Sequence, residues 1–119
     1  MRAKKNNSQK ITVIVLSGSL TLASIKQHEE KWEQELNKLP KNLAFDFFHV
    51  TFIDSTAIGT LVKLFNEAQS RKVKIILFNI NPLVQEMFDS IKLEKFFTIL
   101  SKKDFDALYD KIYKRANAV

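Results

Sequence analysis

The segment His49 to Phe65, HVTFIDSTAIGTLVKLF, decides how this chain is read. An apolar, strand-like run ends at Ile53, and three small polar residues follow, Asp54, Ser55 and Thr56. Beyond them Ala57, Ile58, Leu61, Val62, Phe65 and Ala68 recur at the spacing of one face of an amphipathic helix. A strand passing into a helix through Asp-Ser-Thr is the joint of a βα unit. The triplet has two readings. One of its side chains caps the helix, a role worth about 1 kcal/mol, or one of its hydroxyls is there to be modified. On the residues alone the cap is the stronger reading, and the two are compatible.

Working outward, the same alternation repeats. ITVIVLSGSL, residues 11–20, is rich in β-branched residues and reads as a buried strand. Leu22, Ile25, Trp32, Leu36 and Leu39 then follow helical spacing until Pro40. NLAFDFFHVTFI, residues 42–53, is a second strand and KVKIILFNI a third. Asn81-Pro82 is a capping residue followed by proline at the first helical position, with Leu83, Val84, Met87, Phe88 and Ile91 on the inner face. EKFFTIL reads as a short fourth strand, and residues 102–116 as a closing helix with Phe105, Leu108 and Ile112 inward. The expected fold class is therefore α/β: one domain over residues 10–116, with a mostly parallel sheet of four to five strands covered by helices. The basic segment 1–9 is expected to add a short edge strand through NNSQ. Crossovers between parallel strands are right-handed, and sites on such sheets gather at the carboxyl ends of the strands. Three stretches fall there: SGSLT, DST and NINP.

Composition removes several kinds of chemistry. The 119 residues contain no cysteine, so there is no disulfide framework, thiolate metal site or cysteine nucleophile. With two glycines, Gly18 and Gly59, neither a dinucleotide fingerprint nor a phosphate-cradling P-loop exists. The two histidines, His28 and His49, lie on different elements without metal-ligand spacing. Asp54 adjacent to Ser55 is poorly placed to orient a histidine facing that serine, so no triad forms. No catalytic set, metal or cofactor is expected, which favours a binding or regulatory module over an enzyme. No apolar run approaches the about 18 residues of a membrane span and none marks a signal peptide. The cytoplasm is the simplest location. The net charge of +6 is concentrated near the two ends. Its first reading is a solvated surface, its second an acidic protein partner. Nucleic acid ranks third, because no aromatic residue is interleaved with the basic clusters.

FDFFHVTFIDSTAIGTL resembles the STAS domain of bacterial anti-sigma factor antagonists. The motif there is an acidic strand residue followed by apolar-x-Phe-Ile/Met-Asp-Ser-Ser/Thr-Gly/Ala-apolar-Gly. Asp46, Val50, Phe52, Ile53, Asp54, Ser55, Thr56, Ala57, Ile58 and Gly59 match it in register. LSGSLTLAS is similar to the family's turn before the first helix, and NINPLVQEMFDSIKLEKFFTI to its later strand-proline-helix-strand segment. The likeness runs from about residue 10 to about residue 108.

The resemblance implies a mechanism. The serine after the aspartate, Ser55, is the residue phosphorylated by a partner that is both anti-sigma factor and serine kinase, with Thr56 the reserve acceptor. The unphosphorylated protein, a monomer when free, binds that partner through Ser19, Thr21, Asp54, Ser55, Thr56, Ile58, Gly59 and Val62. The phosphorylated form does not bind, and a PP2C-type phosphatase reverses the modification. ATP and magnesium belong to the kinase. Two departures stand out. Ala57 occupies the place of the commonest turn glycine, and alanine suits a right-handed first turn. Ser19 and Thr21 stand where the family has a glutamate and an acidic residue, which removes charge from that part of the surface. The alternative implied by the same family is an unphosphorylated scaffold in another complex, such as a lipid-transport or stress-signalling assembly.

Overall fold

The computed structural model describes residues 10–117, with side chains described through Tyr113. The edge strand expected in segment 1–9 lies outside the described residues. Four strands, β1 (Ile11–Leu20), β2 (Asn42–Ile53), β3 (Lys74–Phe78) and β4 (Thr98–Leu100), form one parallel sheet in the order β1-β2-β3-β4. Four helices connect and follow them: α1 (Ile25–Asn37), α2 (Ser55–Ser70), α3 (Pro82–Ile91) and α4 (Lys102–Asn117).

Strand alternation sends side chains to two unequal cores. Ile14, Leu16, Leu43, Phe45, Phe47, Ile75 and Leu77 face one side and bury against α1, α2 and α3. Ile11, Ala44, Ile76 and Phe78 face the other, where α4 is the helix that covers them among the described residues. Helix α4 lies diagonally: Phe105 stacks on Phe78 at the carboxyl end of β3, at 3.7 Å between ring centroids, and the Tyr113 hydroxyl bonds the backbone of Ile11 at the start of β1. One diagonal helix does not reach the middle of the edge strand. Val13 and Val15 are therefore exposed, so β1 is a half-open strand rather than the fully buried one its composition suggests.

Helix boundaries follow local hydrogen bonding more than apolar spacing. Helix α1 starts later than the spacing predicts, because Ser24 first closes a turn. Its hydroxyl accepts from Thr21 N–H at 3.1 Å and donates to Ser19 C=O at 2.9 Å. Leu22 is left in that turn, 72% exposed, and Leu39 lies beyond the helix at a left-handed φ of 55°. Only Ile25, Trp32 and Leu36 of the expected face are buried. In α2 the deepest residues are Ala57, Leu61, Leu64 and Ala68, with Ile58, Val62 and Phe65 half-buried beside them. Leu64 is the inner-face residue the sequence reading lacks. In α3 Val84 and Phe88 are buried while Leu83 and Ile91 are exposed. The stretch EKFFTIL is not one strand. A 3₁₀ turn, Leu93–Lys95, takes its start and leaves Thr98–Leu100 for β4.

Ion pairs such as Lys63 with Glu29, at 3.2 Å between α2 and α1, are surface contacts of at most about 1 kcal/mol. The larger stabilisation is apolar burial, centred on Trp32, which is wholly buried and edge-on to Phe45 at 5.1 Å. Its indole N–H has no hydrogen-bond partner among the described residues. Trp32→Ala should cost roughly 3–5 kcal/mol. Trp32→Phe should cost far less, since it keeps a ring against Phe45 and removes the unpaired N–H. Urea unfolding of the two variants checks this, and equal losses would contradict it.

Candidate functional site

The expected sites lie on the carboxyl ends of β1, β2 and β3, and three short polar side chains tie those ends together. The first is Asp54. Its extended backbone ends β2 and its carboxylate caps α2, with Oδ1 accepting from Ala57 N–H at 2.9 Å. Oδ2 accepts from Leu22 N–H, also at 2.9 Å, in the turn after β1. Its backbone joins in as well, as Asp54 N–H donates to Leu20 C=O and Ile58 N–H donates to Asp54 C=O. One residue thus holds the β1–α1 turn against the start of α2.

Asn81 does the same on the other flank. Its Oδ1 accepts from Val84 N–H at 3.1 Å, capping α3 as the sequence predicts, and its amide donates to Val50 C=O of β2. Asp46 is the third. Its Oδ1 accepts from Phe48 N–H at 3.0 Å and from the Asn79 amide at 3.3 Å. It sits where β2 runs ahead of β1: Val15 pairs with Asp46, but Ser17 pairs with His49. A second slip follows between Gly18 and Ser19. These bulges bend the end of the strand that presents the site.

The polar triplet divides its labour. Asp54 is the cap, while Ser55 is the first residue of α2, exposed, with its hydroxyl unbonded among the described residues. Thr56 is exposed too, and its carbonyl accepts from the Thr60 hydroxyl. The N–H groups of Ser55 and Thr56 are among those that a helix start leaves without intrahelical partners. The two N–H bonds hold the Asp54 carboxyl below its ordinary value, that from Ala57 contributing most and that from Leu22 next.

The other expected contact residues fall around this centre. Ser19 is exposed and pairs with Phe52 near the end of β2, and Thr21 begins the turn that Asp54 holds. Ser55, Gly59 and Val62 succeed one another at helical spacing along one line of α2. Gly59 is exposed, while Ile58 and Val62 rest half-buried on the core. Leu22 and Leu83, read from the sequence as inward, instead face solvent at the starts of α1 and α3, and Phe52 is 43% exposed. No spacing rule would reveal Leu22, because its partner is a backbone N–H bond. Among the described residues no group of three histidines, carboxylates or cysteines is arranged to hold a metal, and no helix is long and apolar enough to cross a membrane.

The STAS domain model matches residues 2–108. The chain belongs to the STAS domain family. This STAS domain has the fold of the anti-sigma factor antagonist SpoIIAA in its unphosphorylated form, with a TM-score of 0.70 at 20% identity over 89% of this chain and 90% of that one. A sulfate transporter family protein from Wolinella succinogenes is equally similar in shape, at 0.70, with 12% identity over 87% of this chain and 88% of that one. The STAS domain of a SulP transporter from Vibrio cholerae scores 0.67 at 18% identity over 92% and 86%. No curated protein matches significantly. At these identities the likeness is one of fold.

The Asp54 carboxyl also sets a pH dependence. Its pKa in the folded protein is below the ordinary 3.8, so its stabilisation is complete well above that value. It is lost as pH falls through 3.8 and then through the lower folded value. Asp54→Asn should therefore melt below wild type at pH 7, with the gap narrowing towards pH 3. Thermal melts across that range check it, and a gap that does not change with pH would contradict it.

Proposed function

We propose that this STAS domain is an anti-sigma factor antagonist that binds a kinase-type anti-sigma factor while Ser55 is unphosphorylated and is released when that partner phosphorylates Ser55. A PP2C-type phosphatase restores the binding form, and Thr56 is the reserve acceptor. The observation that carries this reading is the separation of cap from acceptor. Asp54 caps α2 through the Ala57 N–H, leaving the Ser55 hydroxyl exposed and, among the described residues, unbonded.

A phosphate on Ser55 adds a charge of about −1.5 to −2 at pH 7. The helix start with its unpaired N–H groups and dipole accepts that charge, so the fold persists. A partner covering Ser19, Thr21, Asp54, Ile58, Gly59 and Val62 meets a doubled negative centre, because Asp54 is already ionised beside it. Gly59 adds support. A side chain there would meet nothing within 4 Å, so no internal packing calls for a glycine that costs the helix about 1 kcal/mol relative to alanine. Its small size serves close approach from outside.

A second reading has its own observation. The fold is as similar to a sulfate transporter family protein as to SpoIIAA, and the uncharged Ser19 and Thr21 depart from the antagonist pattern. In that reading the same pole is an unphosphorylated scaffold surface in another assembly. Incubation with the cognate kinase and ATP, followed by intact-mass measurement, separates the two. The switch reading expects one phosphate on wild type and none on Ser55→Ala. It also expects Ser55→Asp to melt like wild type while losing partner affinity by more than tenfold, about 1.4 kcal/mol or more. Phosphate on Ser55→Ala would move the site, and no phosphate on wild type would favour the scaffold.

A further inference from the structure

The opposite pole of the sheet carries a feature that the Ser55 switch does not use. Lys10 directly precedes β1, Lys41 directly precedes β2, and Lys74 is the first residue of β3. Helix α4 runs back from the carboxyl pole and brings Lys111 to the same end. Lys10, Lys41 and Lys111 line a cavity of about 340 Å³, with Asn42 on its wall and Leu108 and Ile112 on its apolar side. A volume of this order lies within the roughly 300–1,000 Å³ of small-ligand pockets.

The walls are held in place. Asn42 donates to the Lys10 carbonyl from both its backbone N–H, at 3.0 Å, and its side-chain amide, at 2.9 Å. The Tyr113 hydroxyl accepts from Ile11 N–H at 3.0 Å and donates to Ile11 C=O at 3.2 Å, fixing α4 against the start of β1. Among the described residues no carboxylate lines the cavity and none of the three lysines is in an ion pair. Three lysines lining one cavity beside Leu108 and Ile112 can turn their ammonium groups to a multiply charged anion, each a donor in charge-assisted hydrogen bonds.

We propose that this amino-pole cavity is a binding site for a compact anion bearing two or more phosphate charges, with the organic part of the ligand against Leu108 and Ile112. A single carboxylate would leave two of the three lysines uncompensated, whereas a polyphosphate engages all three. The phosphates belong either to a free small molecule or to a lipid headgroup. The site is independent of Ser55 and lies at the other end of the strands.

Calorimetric titration of the full chain with inorganic tripolyphosphate tests the free ligand. Co-sedimentation with phosphatidylcholine vesicles, with and without cardiolipin, tests the headgroup. Saturable binding to either probe is expected, weakened about tenfold by Lys41→Gln and by Lys111→Gln and unchanged by the charge-matched control Lys26→Gln. Response to tripolyphosphate identifies a free phosphate ligand, and response to cardiolipin vesicles alone identifies a headgroup. The proposal is overturned if neither probe binds or if Lys26→Gln weakens binding as much as the two cavity variants. Duplex DNA binding more tightly than both probes would also overturn it. Unchanged melting temperatures show that the variants are folded.

Discussion

The Asp54 carboxylate accepts N–H groups from two segments of chain, Leu22 after β1 and Ala57 in the first turn of α2. The candidate site depends on that bridge. It fixes the α2 N-terminus against the β1–α1 turn that Thr21 begins. It also relieves Ser55 of capping. Were Ser55 the cap, its hydroxyl would be engaged with the helix backbone, and modification would remove a bond on which the helix start relies. With Asp54 in that role, a change at Ser55 alters the surface and leaves the scaffold in place. Asn81 repeats the device on the neighbouring strand end, where one short side chain caps α3 and holds it to Val50.

In the proposed switch a phosphate on Ser55 would act through charge rather than through refolding. The helix dipole and unpaired N–H groups lower the cost of an anion for the free protein. The ionised Asp54 raises it for any partner that excludes water from the same surface. The fold and the interface thus respond to one added charge with opposite signs, which is the requirement for a local switch. The exposed Leu22, whose N–H bonds the Asp54 carboxylate, gives apolar ground beside this polar centre on which a partner can gain affinity that the charge then opposes.

Much of this was legible in the sequence because the signals were strong and local. The βα joint at Ile53–Asp54, the Asn81-Pro82 helix start and the span of β2 all follow from residue type and spacing. The errors share a physical cause. Leu22, Leu39, Leu83 and Ile91 fit a helical apolar stripe, yet each lies where a turn or a helix end faces solvent. Apolar spacing reports which residues are able to be buried, not whether another element arrives to cover them. Val13 and Val15 are exposed for that reason, since α4 crosses their face diagonally. The triplet Asp-Ser-Thr marked the candidate site and the local bond from Ala57 N–H makes Asp54 the cap, but the second bond, from Leu22 N–H, is a contact across 32 residues that no short motif encodes.

The central claim is that Asp54, and not Ser55, holds the helix start, so that negative charge at Ser55 is structurally silent. Amide hydrogen exchange at Leu22, Ala57 and Ile58, compared between wild type and Ser55→Asp, measures this directly. The account predicts the same protection of all three amides in both proteins. Loss of protection at Ala57 and Ile58 on introducing the charge would contradict it, because the first turn of α2 would then depend on Ser55 itself.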